Sequence, residues 1–235
     1  MSENVEQKLW EKVDKVLPVF RYVPFLRMVA VCNNLAFRKV DEKSDIDLFI
    51  VAKKGRLFLV RLIITFLLHV KGVRRHGNKI AGRFCLSFFI DDSYIDLSKI
   101  ALEKDIYLAY WTKTMIPVID DGFFDYFMKN NKWVDKYFEN PEEFLNKRKL
   151  IILKNKILTW FLGGYLGDFL EFILKKWQMK RAFKKMAKAS SQASLIVEEH
   201  ILKFHNIDRR NFYKDRWFDK YGSEVKLTKE RFLLL

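Results

Sequence analysis

The sequence predicts an α+β fold: a small mixed-sheet α/β domain with an N-terminal helix over 1–118, then a basic α-helical domain over 119–235. Three observations predict it. Short apolar runs alternate with helix-period segments up to about Asp120, and the helical period dominates beyond. Charge is uneven, with 23 Lys/Arg and 20 Asp/Glu in residues 1–144 (net +3) against 21 and 9 in residues 145–235 (net +12). The 235 residues are 50% hydrophobic and 31% charged, with four Pro and nine Gly, which supplies a core and excludes collagen-like and linker-like chains.

Roughly Val5 to Val16 reads as an amphipathic helix with Trp10, Val13 and Leu17 on one side. Pro18 and Pro24 punctuate the next stretch. Arg27–Cys32 is a short strand, because Met28 to Cys32 is continuously apolar, as a buried strand requires. Asn33–Val40 holds a turn and a brief helix. Asp45–Ala52, rich in Ile, Leu, Phe and Val, is a second buried strand, ended by Lys53-Lys54-Gly55. Leu57 to Val70 reads as a buried helix, Gly72–Gly82 as a basic glycine-punctuated loop, and Phe84–Ile90 as a third strand. Helices are expected at about Ile100–Met115, Phe123–Asn130, Glu142–Lys188 with a break near Gly163-Gly164, and Ser190–His205.

Cys32 and Cys85 sit inside apolar runs, as reduced interior thiols would, and two cysteines make no disulfide framework. The segment Met1 to Leu17 interleaves acids with lysines and lacks the apolar stretch of a signal peptide. In the most apolar region, Leu150 to Leu174, the longest uncharged run is the eleven residues Ile157 to Gly167. A bilayer span needs about 20, so a cytoplasmic chain with no transmembrane helix is expected, and peripheral membrane contact stays open. The histidines show no metal-ligand pattern, and no Walker loop, dinucleotide fingerprint, zinc motif or nucleophile elbow is present.

The sharpest local feature is Ser44-Asp45-Ile46-Asp47-Leu48-Phe49-Ile50-Val51. On a strand, residues two apart share a face, with Cα atoms roughly 6.5–7 Å apart. Two carboxylates so placed at the head of an apolar strand repel each other and resist joint desolvation. A hard divalent cation resolves the conflict, since Mg²⁺ takes one or two carboxylates plus phosphate and water oxygens. The same residues also suit a strand emerging into solvent, with Asp45 as a cap.

Eleven residues before Asp45 lies a strand–turn–helix, Val29-Ala30-Val31-Cys32-Asn33-Asn34-Leu35-Ala36. The whole stretch Val29 to Val51 resembles the signature of the nucleotidyltransferase superfamily with the polymerase-β-like fold. Gly55-Arg56-Leu57-Phe58-Leu59-Val60-Arg61 and Arg83-Phe84-Cys85-Leu86-Ser87-Phe88-Phe89 look like an uncharacterised bacterial branch of it. The resemblance covers about residues 20–115. It implies that Asp45 and Asp47 bind Mg²⁺ and that the Asn33–Asn34 turn lies against a nucleoside triphosphate such as ATP. Its activity would be transfer of a nucleoside monophosphate to a hydroxyl acceptor. Asn33-Asn34 stand where the superfamily usually has Gly-Ser; Asn best tolerates left-handed backbone among non-Gly residues, and its amide can donate as a serine hydroxyl would. Many active members add a third carboxylate from a neighbouring strand. Here that strand offers Ser87 at its centre, with Asp91, Asp92 and Asp96 further along.

The net charge of +15 points to an anionic partner. Arg74, Arg75 and Lys79, with Arg83 and His76, lie in the loop before the third strand and are the phosphate contacts expected beside the acids; Ser44 joins them as a nucleotide contact. Lys175, Lys176, Lys180, Arg181, Lys184, Lys185 and Lys188 fall in 14 residues without an acid. They suit a surface for RNA or another polyanion, an acidic membrane, or a solvated helix face. The alternative to an enzyme is a catalytically silent relative that binds nucleotide, RNA or an acidic surface.

Overall fold

The computed structural model describes residues 2–144, 148–188, 190, 193–205, 207–222 and 225–235. Its strands are β1 (Leu26–Cys32), β2 (Ile46–Ala52), β3 (Phe84–Asp91), β4 (Ile116–Asp120), β5 (Ser194–Val197) and β6 (Ile201–His205). They form one six-stranded mixed sheet in the order β4-β1-β2-β3-β6-β5. Only β2 and β3 pair in parallel; β1 is antiparallel to β2 and β4, and β6 to β3 and β5. The helices are α1 (Ser2–Val16), α2 (Asn33–Ala36), α3 (Leu57–Val70), α4 (Ile106–Thr114), α5 (Phe123–Asn130), α6 (Lys156–Phe161), α7 (Tyr165–Met186), α8 (Arg210–Tyr221) and α9 (Lys229–Leu233).

The central strands β1 and β2 are buried at every position but their second, Arg27 and Asp47. That is why they read as unbroken apolar runs rather than as alternation. The parallel pair needs a crossover, which α3 supplies with Leu57, Phe58, Val60, Ile64 and Leu68 buried. Asp105 sets the start of α4 by accepting the Leu108 N–H, so the helix expected from Ile100 begins at Ile106. Ahead of it, Leu97–Ile100 is a 3₁₀ turn capped by Asp96.

Several expectations are corrected. The helix expected over Ser190–His205 is the hairpin β5–β6, closed by the Glu198 N–H donating to the Ile201 carbonyl; residues 191–192 lie outside the described residues. The edge of β3 offers backbone partners to Ile201–Lys203, and that tertiary pairing overrides any local helical pattern. The sheet therefore continues into the half expected to be helical throughout. The long helix expected over Glu142–Lys188 is α6 and α7, broken at Gly163-Gly164 as expected. Pro141–Phe144 is instead a 3₁₀ turn, and residues 145–147 lie outside the described residues. Around residue 151 the chain runs extended, with the Ile151 N–H donating to Val118 on β4. β4 itself was not expected, because Pro117 interrupts its run; as the end strand of the sheet it tolerates the proline. Helices α8 and α9 were not expected either.

Candidate functional site

Asp45 immediately precedes β2 and Asp47 is the strand's second residue, two positions on. Across the parallel pair, Cys85 of β3 stands opposite Asp47. One oxygen of each carboxylate and the Cys85 Sγ all lie within 4.8 Å of one another. Above them comes Arg75 from the 72–82 loop. Its Nη1 donates to Asp45 Oδ2 at 2.5 Å and to Cys85 Sγ at 3.6 Å.

Burial, reinforced by the charge of Asp45, pushes the Asp47 carboxyl up to about 6. The Asn33 amide and the Cys85 thiol act the other way, favouring its anion. Burial also pushes the Cys85 thiol up, and Asp47 and Asp45 add to the rise, so the sulfur stays protonated at neutral pH. The donor set therefore fits a hard divalent cation through its two carboxylates, with the thiol a poor third donor.

Asn33, which opens α2 directly after β1, has φ +55°, the left-handed geometry that the sequence departure from Gly demanded. The Tyr107 hydroxyl of α4 donates to Asn33 Oδ1 at 3.3 Å.

These residues form one wall of a cavity of about 900 Å³, which Asn33, Asn34, Asp45, Asp47, Arg74 and Arg75 all line. The remaining walls carry cations among aromatic and apolar side chains and Asp208: Arg61 from α3, Arg181 and Lys185 from α7, Lys203 from β6, and Arg209 and Arg210 at the head of α8. Arg210 is bound to Asp208, at 2.6 Å. Lys203 is only 3% exposed; burial, with Arg210 next, brings its ammonium down to about 8, with Asp208 and Asp105 acting the other way. Burial, then Arg74 and Arg181, lower Arg61 to about 10. Burial, then Lys203, hold His205 at about 3, so that imidazole is neutral. Like charges crowded this way into a partly desolvated space are relieved by an anion.

The structure does not bring every expected contact here. Ser44 is buried beneath the turn, its hydroxyl donating to Asp41 Oδ1 at 2.8 Å, and it does not line the cavity. Lys79 is exposed at the tip of its loop, outside the lining. Arg83 braces that loop by donating to the Gly72 carbonyl at 2.6 Å. Ser87 reaches the cavity, but the place beside Asp47 belongs to Cys85, which is half-buried rather than an interior thiol like Cys32. Asp91 lies at the far end of β3 opposite Ala52, held by Ser93 and His200. The Lys54 N–H donates to Asp92 and the Ser98 N–H to Asp96. Of the basic run, Arg181 and Lys185 face the cavity. Arg61 and Lys203 are not among the phosphate contacts expected from the sequence, yet each is a lone charge inside an apolar run, which is the signal that singles them out.

Together these features define an α+β protein with an acid pair on one wall of a basic cavity. No family model, curated protein or solved structure matches the chain.

Proposed function

We propose that the chain is a Mg²⁺-dependent nucleotidyltransferase that moves a nucleoside monophosphate from a nucleoside triphosphate to a hydroxyl acceptor. One observation carries this: Asp45 and Asp47 converge on a wall of a cavity whose other walls are lined with cations. Asp45 and Asp47 would hold the metal, which supplies neutralisation of charge building on the phosphate oxygens. Arg61, Arg74, Arg181 and Lys203 would bind the β- and γ-phosphates and stabilise the departing pyrophosphate. The Asn33–Asn34 backbone would position the triphosphate against the acids. In the transfer, the acceptor oxygen bonds to the α-phosphorus, the bond from that phosphorus to the bridging oxygen breaks, and the hydroxyl proton passes to solvent. Thermal melts with each of the four nucleoside triphosphates, with and without Mg²⁺, test binding. Transfer of an α-labelled phosphate tests chemistry, and no transfer to any acceptor in a cell extract would refute it.

A second reading has its own support. Cys85 occupies the place of a third carboxylate, and the Arg75 guanidinium already neutralises Asp45. Both suit a catalytically silent protein that binds the nucleotide or another phosphorylated ligand. Stabilisation by triphosphate that is indifferent to Mg²⁺, without transfer, supports that alternative.

A further inference from the structure

The pair α6–α7 is built inside out. The fully buried positions of α7 are Gly167, Glu171, Gln178 and Ala182, polar or small at helical spacing, with Leu174 and Met179 partly buried beside them. The Glu171 carboxylate accepts the Phe58 and Leu59 N–H groups at the start of α3, at 2.9 and 2.8 Å. The Gln178 amide donates to the Phe58 carbonyl and accepts from Arg61. With polar groups holding the helix in place, most of the bulky side chains are left outside. Ile157 and Trp160 are each 83% exposed and Tyr165 93%; Phe161, Leu166, Phe169, Phe172 and Ile173 are exposed with them. A helix lying on a protein core has the reverse arrangement. Single exposed apolar residues need no explanation, but a contiguous run of this size marks a contact surface.

We infer that α6 and the first half of α7 dock on an anionic phospholipid bilayer, with Trp160, Phe161, Tyr165 and Phe169 entering the headgroup–acyl boundary. Charge selects this occupant. Residues 154–188 hold nine Lys/Arg and two acids, Asp168 and Glu171. Asp168 is bound by Arg56 at 2.5 Å and Glu171 is buried. Among the described residues, Lys175 is the only one of the nine cations paired with an acid, Glu199. Along the outward face, Phe169, Ile173, Lys176, Lys180 and Lys184 follow at three- or four-residue steps, apolar first and basic after. An interfacial helix sinks such an apolar end and lays its lysines over acidic headgroups. A second copy would set this charge against itself. RNA offers bases to stack on aromatics but nothing apolar for Ile157, Leu158, Leu166 and Ile173. No helix among the described residues is long and apolar enough to cross a membrane, so the contact lies on the surface. Trp177, Gln178, Arg181 and Lys185 of the same helix line the cavity, which docking sets beside the headgroups. None of this depends on nucleotide transfer.

Flotation of the full chain with vesicles of phosphatidylcholine, or of phosphatidylcholine and phosphatidylglycerol in equal parts, tests the docking. The protein floats with the acidic vesicles, and brominated lipid quenches its tryptophan emission. The double variant Trp160→Glu, Phe161→Glu melts as the parent does and loses about tenfold or more in vesicle affinity. Lys180→Glu with Lys184→Glu removes the preference for acidic lipid. Absence of flotation, or of quenching in the unaltered protein, overturns the proposal. So does vesicle binding that the Trp160/Phe161 variant leaves intact, a dimer that this variant dissolves, or retention on RNA without vesicle binding.

Discussion

Asp47 and Cys85 stand opposite each other on the parallel strands β2 and β3, a carboxylate raised by burial beside a thiol kept protonated. The thiol lets one face of the sheet hold two acids without a third charge, and a cation placed there would be held by the carboxylates alone.

Cys85→Asp restores the third charge. Without metal it places three acids together, and the variant unfolds more easily than the parent by roughly 1–3 kcal/mol. Added Mg²⁺ should then raise its melting temperature more than it raises the parent's. Equal Mg²⁺ responses in the two proteins would show that no cation sits between these strands.

Asp47→Asn separates stability from function. The folded-state carboxyl, at about 6, lies above its ordinary 3.8, so the fold disfavours the anion. That cost is absent below pH 3.8, grows as pH rises to 6, and is complete above it. Asn should therefore stabilise the protein by roughly 1–3 kcal/mol at pH 7.5 and by little at pH 4, read from urea unfolding. Transfer of labelled nucleotide should nevertheless vanish. A variant that loses stability at pH 7.5 would contradict this account of the pair.

Lys203→Met makes the corresponding case on the cationic wall. Its ammonium, at about 8 rather than 10.5, is disfavoured in the fold, a cost complete below pH 8 and gone above 10.5. Methionine should stabilise the protein by roughly 1–3 kcal/mol at pH 7, the gain shrinking toward pH 10. Triphosphate affinity, by isothermal titration at pH 7, should fall about tenfold as one buried charge-assisted contact is lost. Unchanged affinity would remove Lys203 from the anion site.

How much of this was legible in the sequence depends on how local each cause is. The Asp45–Asp47 convergence comes from strand parity, and the Asn33 turn from backbone sterics, both settled within a few residues. Helix α3 has the bounds its apolar run gave. Cys85 was hidden because its position depends on the register of β2 with β3, which shifts between Asp47 and Phe49. The cationic wall was hidden for a longer-range reason. Lys203 lines the same cavity as Arg61 only because β6 joins the free edge of β3, and no local pattern in 190–205 encodes that edge.

Gly167→Ala probes the corner that presents the apolar face. A Cβ at Gly167 would lie 1.8 Å from the Leu162 carbonyl oxygen, a backbone atom that cannot step aside without moving the end of α6. At Gly164, three residues earlier, a Cβ meets nothing within 4 Å. The alanine at 167 should cost roughly 1–3 kcal/mol through this overlap, and the alanine at 164 much less, in paired thermal melts. Because α7 also carries Arg181 and Lys185 into the cavity, the displaced helix should weaken triphosphate binding in the Gly167 variant alone. Identical melting and binding in both variants would mean that α6 and α7 do not meet at the close approach described.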